Sequence, residues 1–218
     1  MTTARLTNLS ADDLEDFFLL LPRIYADYRD PRRGPLEMLY VYSETLDNED
    51  STFLRAVEMA DAGLIKRLGI AEASRGYGYE GFDHSVGRLR AFGWEDRVPI
   101  VKFDQKEGIN TLSEARALAD WGRSHSGDIG IVAPAFHLAR AFMTTVSAIR
   151  EDPVRVYAYP GVAIPWSERV VHSQGKLTNT RAGLLGDELQ RLEKYRAAEC
   201  GNLMSARQVL DYLNWRDS

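Results

Sequence analysis

His137 and Arg140 stand three residues apart at the start of an apolar segment, so on a helix they share one face. An imidazole there can take or give a proton near neutral pH, and a guanidinium can grip a phosphate through two hydrogen bonds. The bland alternative is a histidine at a helix end beside an arginine in a structural ion pair. Asn110, Thr111 and Glu114 lie upstream and form an N-cap with an acid in the first turn. Asn110 and Thr111 could also touch a ligand, and Glu114 could pair with Arg140 or orient His137. Glu44, Glu72 and Asp104 end three successive apolar runs, with Ser43 and Ser74 beside them. Such carboxylates can bind a cation, hold ribose hydroxyls or simply face water. His137, Arg140 and Glu114 are thus the candidate catalytic set. Ser43, Glu44, Glu72, Ser74, Asp104, Asn110 and Thr111 are the candidate binding set.

Other chemistries lack a signature. His84, His125, His137 and His172 are far apart in the chain and Cys200 is the only cysteine, so neither a zinc site nor any structural metal is expected. Gly76-Tyr-Gly-Tyr-Glu-Gly81 is neither a Walker loop nor a dinucleotide fingerprint, although Tyr77 and Tyr79 could stack on a base. No Gly-x-Ser-x-Gly elbow occurs, and Ser74 and Ser113 have no motif that would make either a nucleophile. A transferase, or a hydrolase using water, is the reaction type this leaves. Arg181 and Glu188 could fold back over the site, and the aromatic residues Tyr195, Tyr212 and Trp215 suit a core or a homodimer contact.

The elements that must position these groups alternate between two periods. Short apolar runs at 37–43, 64–73, 98–103, 128–133 and 154–159 read as buried strands. Helical spacing fills 51–63, 83–92, 110–123 and 136–150, with Asp83 an expected cap and Asn110 or Thr111 another. Strand and helix in alternation with short links is the pattern of βαβ units, hence an α/β fold with a parallel sheet of about five strands between helical layers. Ser10 opens an N-terminal helix expected to reach about Tyr28, and from Trp166 onward the pattern turns helical, with apolar residues at helical spacing over 184–195 and 205–215. The expected organisation is one domain over 1–218, with an extension at 1–35, a sheet core at 36–165 and helices at 166–218. Ligands of such sheets sit beyond the carboxyl ends of the strands, where helix N-termini offer unpaired amides.

Composition narrows the partners. The 218 residues are 44% hydrophobic and 27% charged, within the range of ordinary globular chains. A net charge of −5 argues against duplex nucleic acid, and no apolar run is long enough to span a bilayer. With one cysteine and no visible signal peptide, a cytoplasmic location is expected.

Two stretches, Ile109-Asn-Thr-Leu-Ser-Glu-Ala-Arg and Ile131-Val-Ala-Pro-Ala-Phe-His-Leu-Ala-Arg-Ala, resemble motifs of the YdcF, SanA and ElyC-like bacterial family, with the soluble YdcF-like branch the better analogy. Arg55-Ala-Val-Glu-Met-Ala-Asp-Ala-Gly63 is similar to an early helix of that family, and the likeness spans roughly residues 37–195. Ser43-Glu44 and Ala73-Ser74 depart from it, standing where the family has glycines. The resemblance implies a Rossmann-like fold and a nucleotide-like or phosphorylated ligand, a small anion in either case. Binding of S-adenosylmethionine, or methyl transfer from it with Glu72 or Asp104 on the ribose, is the second expectation. A non-catalytic interaction module is the third.

Overall fold

A computed structural model describes residues 10–76, 78–95, 97–105, 108–150, 152–172, 177–197 and 203–218. Five strands, β1 (Met38–Val41), β2 (Leu68–Glu72), β3 (Ile100–Asp104), β4 (Ile129–Ala133) and β5 (Val156–Pro160), form one parallel sheet in the order β3-β2-β1-β4-β5. Between them run α2 (Leu46–Asp61), α3 (Phe82–Ala91), α4 (Thr111–Ser124) and α5 (Ala135–Ile149). This is a three-layer α/β/α arrangement of the Rossmann type.

The central strand explains why the apolar runs are unbroken. Met38, Tyr40 and Tyr42 pack in one core cluster with α5 residues Leu138, Phe142 and Val146. Leu39 and Val41 join the other cluster, with Phe53, Ala56 and Val57 of α2. Both faces of β1 are therefore dry, as a parallel sheet requires. Gly69 makes room for this packing. A Cβ there would sit 2.7 Å from the Phe103 ring and 2.9 Å from that of Tyr40.

Helix α1 (Ala11–Tyr25) begins at Ser10 with a capping box to Asp13 and ends three residues short of the expected limit. Together with α7 (Ala206–Asp217) it guards the β5 edge. Asp27 accepts the Ala158 N–H at 2.8 Å, the Tyr212 hydroxyl accepts the Val156 N–H at 2.7 Å, and Arg216 donates to the Val156 carbonyl at 2.8 Å. Strand groups that could template pairing with another chain are thus occupied.

Two expectations are corrected. Residues 166–172 and 177–180 are not helical. An antiparallel hairpin, β6 (Arg169–His172) with β7 (Leu177–Thr180), precedes α6 (Arg181–Ala197). The alternating, β-branched Arg-Val-Val-His and Leu-Thr-Asn-Thr stretches suit strands better than a helix. Asp83 does not cap α3 either. Gly81, at φ 101°, holds that position and no side chain bonds the first turn. Tyr77 and Cys200 lie outside the described residues. Among the described residues no helix is long and apolar enough to cross a membrane.

Candidate functional site

The strand order reverses at β1 and β4: the chain steps outward from β1 to β3, then returns to β4 on the other side of β1. Such a switch point splays two βα loops apart and leaves a crevice at the carboxyl ends. A cavity of about 110 Å³ occupies that place. Residues 43–45 after β1, Asn110, Thr111 and Glu114 of α4, and His137 and Arg140 of α5 line it, together with Tyr79, His172 and Tyr195.

The polar groups there form one network. Glu44 Oε1 lies 2.5 Å from His137 Nδ1, and His137 Nε2 lies 3.3 Å from the Thr111 hydroxyl. Arg140 donates to that hydroxyl through Nη1 at 2.6 Å and pairs with Glu188 through Nε and Nη2. Glu188 also meets His172 Nε2 at 3.1 Å and the Arg191 guanidinium at 2.9 Å. The ring of contacts closes where His172 Nδ1 comes within 3.6 Å of Glu44 Oε2. Glu44, His137, Arg140, His172 and Glu188 are all buried.

Protonation follows from burial and neighbours. Burial would raise the Glu44 carboxyl, but His137 and His172 outweigh it and hold it at about 2. Burial likewise opposes the charge on Glu188, yet Arg140 and His172 keep it ionised. His172 is disfavoured as a cation by burial, but its bonds to Glu188 and Glu44 lift it to about 9. His137 goes the other way, lowered by burial and by Arg140 despite Glu44. Glu114 is raised by burial to about 8, although the Ser43 N–H and the Tyr40 hydroxyl both donate to its Oε1. At neutral pH two carboxylates therefore face Arg140, Arg191 and protonated His172, while Glu114 and His137 are neutral. The cluster carries no negative excess. A neutral His137 whose Nδ1–H points at a carboxylate presents a free Nε2 lone pair toward Thr111.

Other parts fix this geometry from outside. The Thr45 hydroxyl and the Asn48 amide both donate to the Val171 carbonyl, pinning β6 beside the loop after β1. Buried Arg181 donates to the Asp47 carbonyl at 2.6 Å and to Asn48 Oδ1 at 3.0 Å, tying the start of α6 to the start of α2. Arg181 is thus a clamp outside the cavity, whereas Glu188 reaches into the network.

Of the residues expected at the site, Ser43, Glu44, Asn110, Thr111, Glu114, His137 and Arg140 meet around the cavity. Glu72 and Ser74 do not. They border a separate surface depression with Arg75, Gly81 and Lys102, and Glu72 pairs with Lys102 at 2.6 Å. Asp104, paired in register with Glu72, also lies away from the cavity. The reason is lateral: β2 and β3 lie on the far side of β1 from β4, beyond reach of α5. Glu114 neither pairs with Arg140 nor orients His137, because it turns to Tyr40 and Ser43. His172 was missed, since it arrives on a hairpin strand with no motif around it. Tyr195, 43% exposed, lines the cavity rather than a core. Among the described residues no group of three or more acids, histidines or cysteines could hold a metal ion. No family model, curated protein or solved structure matches the chain.

Proposed function

We propose that this protein is a small-molecule enzyme, a hydrolase or transferase, acting on a phosphorylated or nucleotide-like ligand whose anionic group enters the cavity at the switch point. The observation that carries this is the Glu44–His137 pair, a buried carboxylate holding a neutral imidazole whose unprotonated nitrogen faces Thr111 on the cavity wall. Such a pair is built to move a proton. An interaction surface has no use for a buried cluster of ionisable groups that costs free energy to assemble.

Three features favour an anion. The N-termini of α2, α4 and α5 converge here, and α2 and α5 have no side chain bonding their first turns. Arg140 retains guanidinium hydrogens beyond those given to Glu188 and Thr111. Glu114, neutral at pH 7, spares the cavity a third negative charge. Asn110-Thr111 and His137-x-x-Arg140, which lie in the two stretches that resemble YdcF-like motifs, are the ones that meet here. S-adenosylmethionine fits less well, because the carboxylates expected to hold its ribose stand apart from the cavity.

A thermal-shift series with inorganic phosphate, adenosine monophosphate and S-adenosylmethionine, paired with a p-nitrophenyl phosphate assay, tests this. The phosphates should stabilise the chain, and His137→Ala should stay folded and lose about two orders of magnitude or more in turnover. Full activity in both His137→Ala and Arg140→Lys would remove the assignment.

A further inference from the structure

We infer that Thr111 is the nucleophile of this site, its hydroxyl oxygen attacking the phosphorus of a bound phosphate ester. The inference rests on the proton-transfer role given to His137 and goes one step past it, from ligand contact to covalent catalysis.

The Thr111 oxygen sits between a base and a cation. His137 Nε2, 3.3 Å away, can take its proton, and Arg140 Nη1, donating at 2.6 Å, stabilises the charge that develops when the proton leaves. Behind the imidazole, Glu44 holds Nδ1–H at 2.5 Å, which fixes the tautomer and stabilises the imidazolium. Hydroxyl, imidazole and carboxylate in this order are the constellation that activates a nucleophile on several unrelated folds. Thr111 is also where the network surfaces. His137 is 3% exposed and Arg140 7%, whereas Thr111 is half-buried on the cavity wall.

A purely structural role is already filled. Thr111 is the first residue of α4, but Asn110 Oδ1 accepts the Leu112 and Ser113 N–H groups and closes a capping box without it. Its hydroxyl meets His137 and Arg140 and keeps one oxygen lone pair for a ligand.

In the first half-reaction the Oγ–P bond forms, the bond from phosphorus to the leaving alcohol oxygen breaks, and the threonine proton passes through His137 to that oxygen. In the second, water or an acceptor alcohol attacks phosphorus and the Oγ–P bond breaks. The attacking group's proton returns through His137 to Thr111.

Phenylmethanesulfonyl fluoride, a small tetrahedral electrophile, probes this on the full chain. The Thr111 oxygen would displace fluoride as the S–F bond breaks, with the proton leaving through His137. Intact mass and peptide mapping should place one adduct on Thr111, formed about a hundredfold more slowly in His137→Ala and absent in Thr111→Val. Thr111→Ser, which keeps the hydroxyl and relieves crowding, should label at least as fast as the native chain. Labelling of neither the native chain nor Thr111→Ser at position 111, or labelling indifferent to His137, overturns the inference. If Thr111→Val hydrolyses p-nitrophenyl phosphate at the native rate while His137→Ala does not, the nucleophile assignment falls and the proton-transfer function of His137 stands.

Discussion

Replacing Glu114 by glutamine should change the pH dependence of stability in a calculable way. The side chain is 2% exposed, and burial lifts its carboxyl from 4.5 to about 8. The folded chain therefore keeps a proton that the unfolded chain releases, and native stability falls as pH rises from 4.5 toward 8. With about 1.4 kcal/mol for each pH unit of difference, the loss between pH 5 and pH 8 is roughly 3–4 kcal/mol. That is a large part of the stability of an ordinary domain. Glutamine keeps the oxygen that accepts from Tyr40 and Ser43 but cannot titrate. It adds a donor, which costs about 1–3 kcal/mol if unpaired. Glu114→Gln should thus be the less stable chain at pH 5 and should reach or exceed the native chain by pH 8. Urea unfolding at one-unit intervals of pH, with unchanged denaturant slopes, would follow the two curves converging. Parallel curves would show that Glu114 is ionised in the folded state and refute the charge assignment of the cavity.

Glu188→Gln strips Arg140 and His172 of their shared carboxylate, and removing one partner of a buried pair costs about 3–5 kcal/mol. The same change should lower the His172 imidazole from about 9, measurable by histidine NMR titration, and an unmoved value would deny the network. Because that value lies above 6.5, the contribution of His172 to stability is complete below pH 6.5 and lost as pH rises through about 9; the variant should lack this decline. At the sheet edge, Arg216→Met leaves buried Asp27 without its partner and should cost about 3–5 kcal/mol in urea unfolding. Adding Asp27→Asn should recover part of it, and a loss under about 1 kcal/mol in the single variant would mean the pair is dispensable.

Much of this was legible in the residues themselves. Runs such as Met38-Leu-Tyr-Val41 and Ile129-Gly-Ile-Val-Ala133 are apolar on both sides of the chain, so only a sheet covered on both faces can bury them. Asn110 before Thr111 and Ser10 before Ala11 mark helix starts because their oxygens satisfy amides that the helix cannot. His137 and Arg140 share a face by helical spacing, a local property. What pairs with them is not local. Glu44, Thr111, His172 and Glu188 lie 93, 26, 35 and 51 residues from His137 along the chain, and nothing in their own neighbourhoods distinguishes Glu44 from Glu72. Strand order separates those two carboxylates: β1 lies beside β4 and β2 does not, so one acid faces the imidazole and the other faces Lys102.

The hairpin behind His172 was hidden for a related reason. Four-residue strands leave too little periodicity to outweigh the helical segments around them, and their position is held by distant groups, Thr45, Asp47 and Asn48. Outside the hairpin, local propensity determined which elements form. The order in which parallel strands pack, a property of the whole chain, decided which charges meet, and that meeting together with burial moves the proton affinities of Glu44, Glu114, His137 and His172 away from their ordinary values.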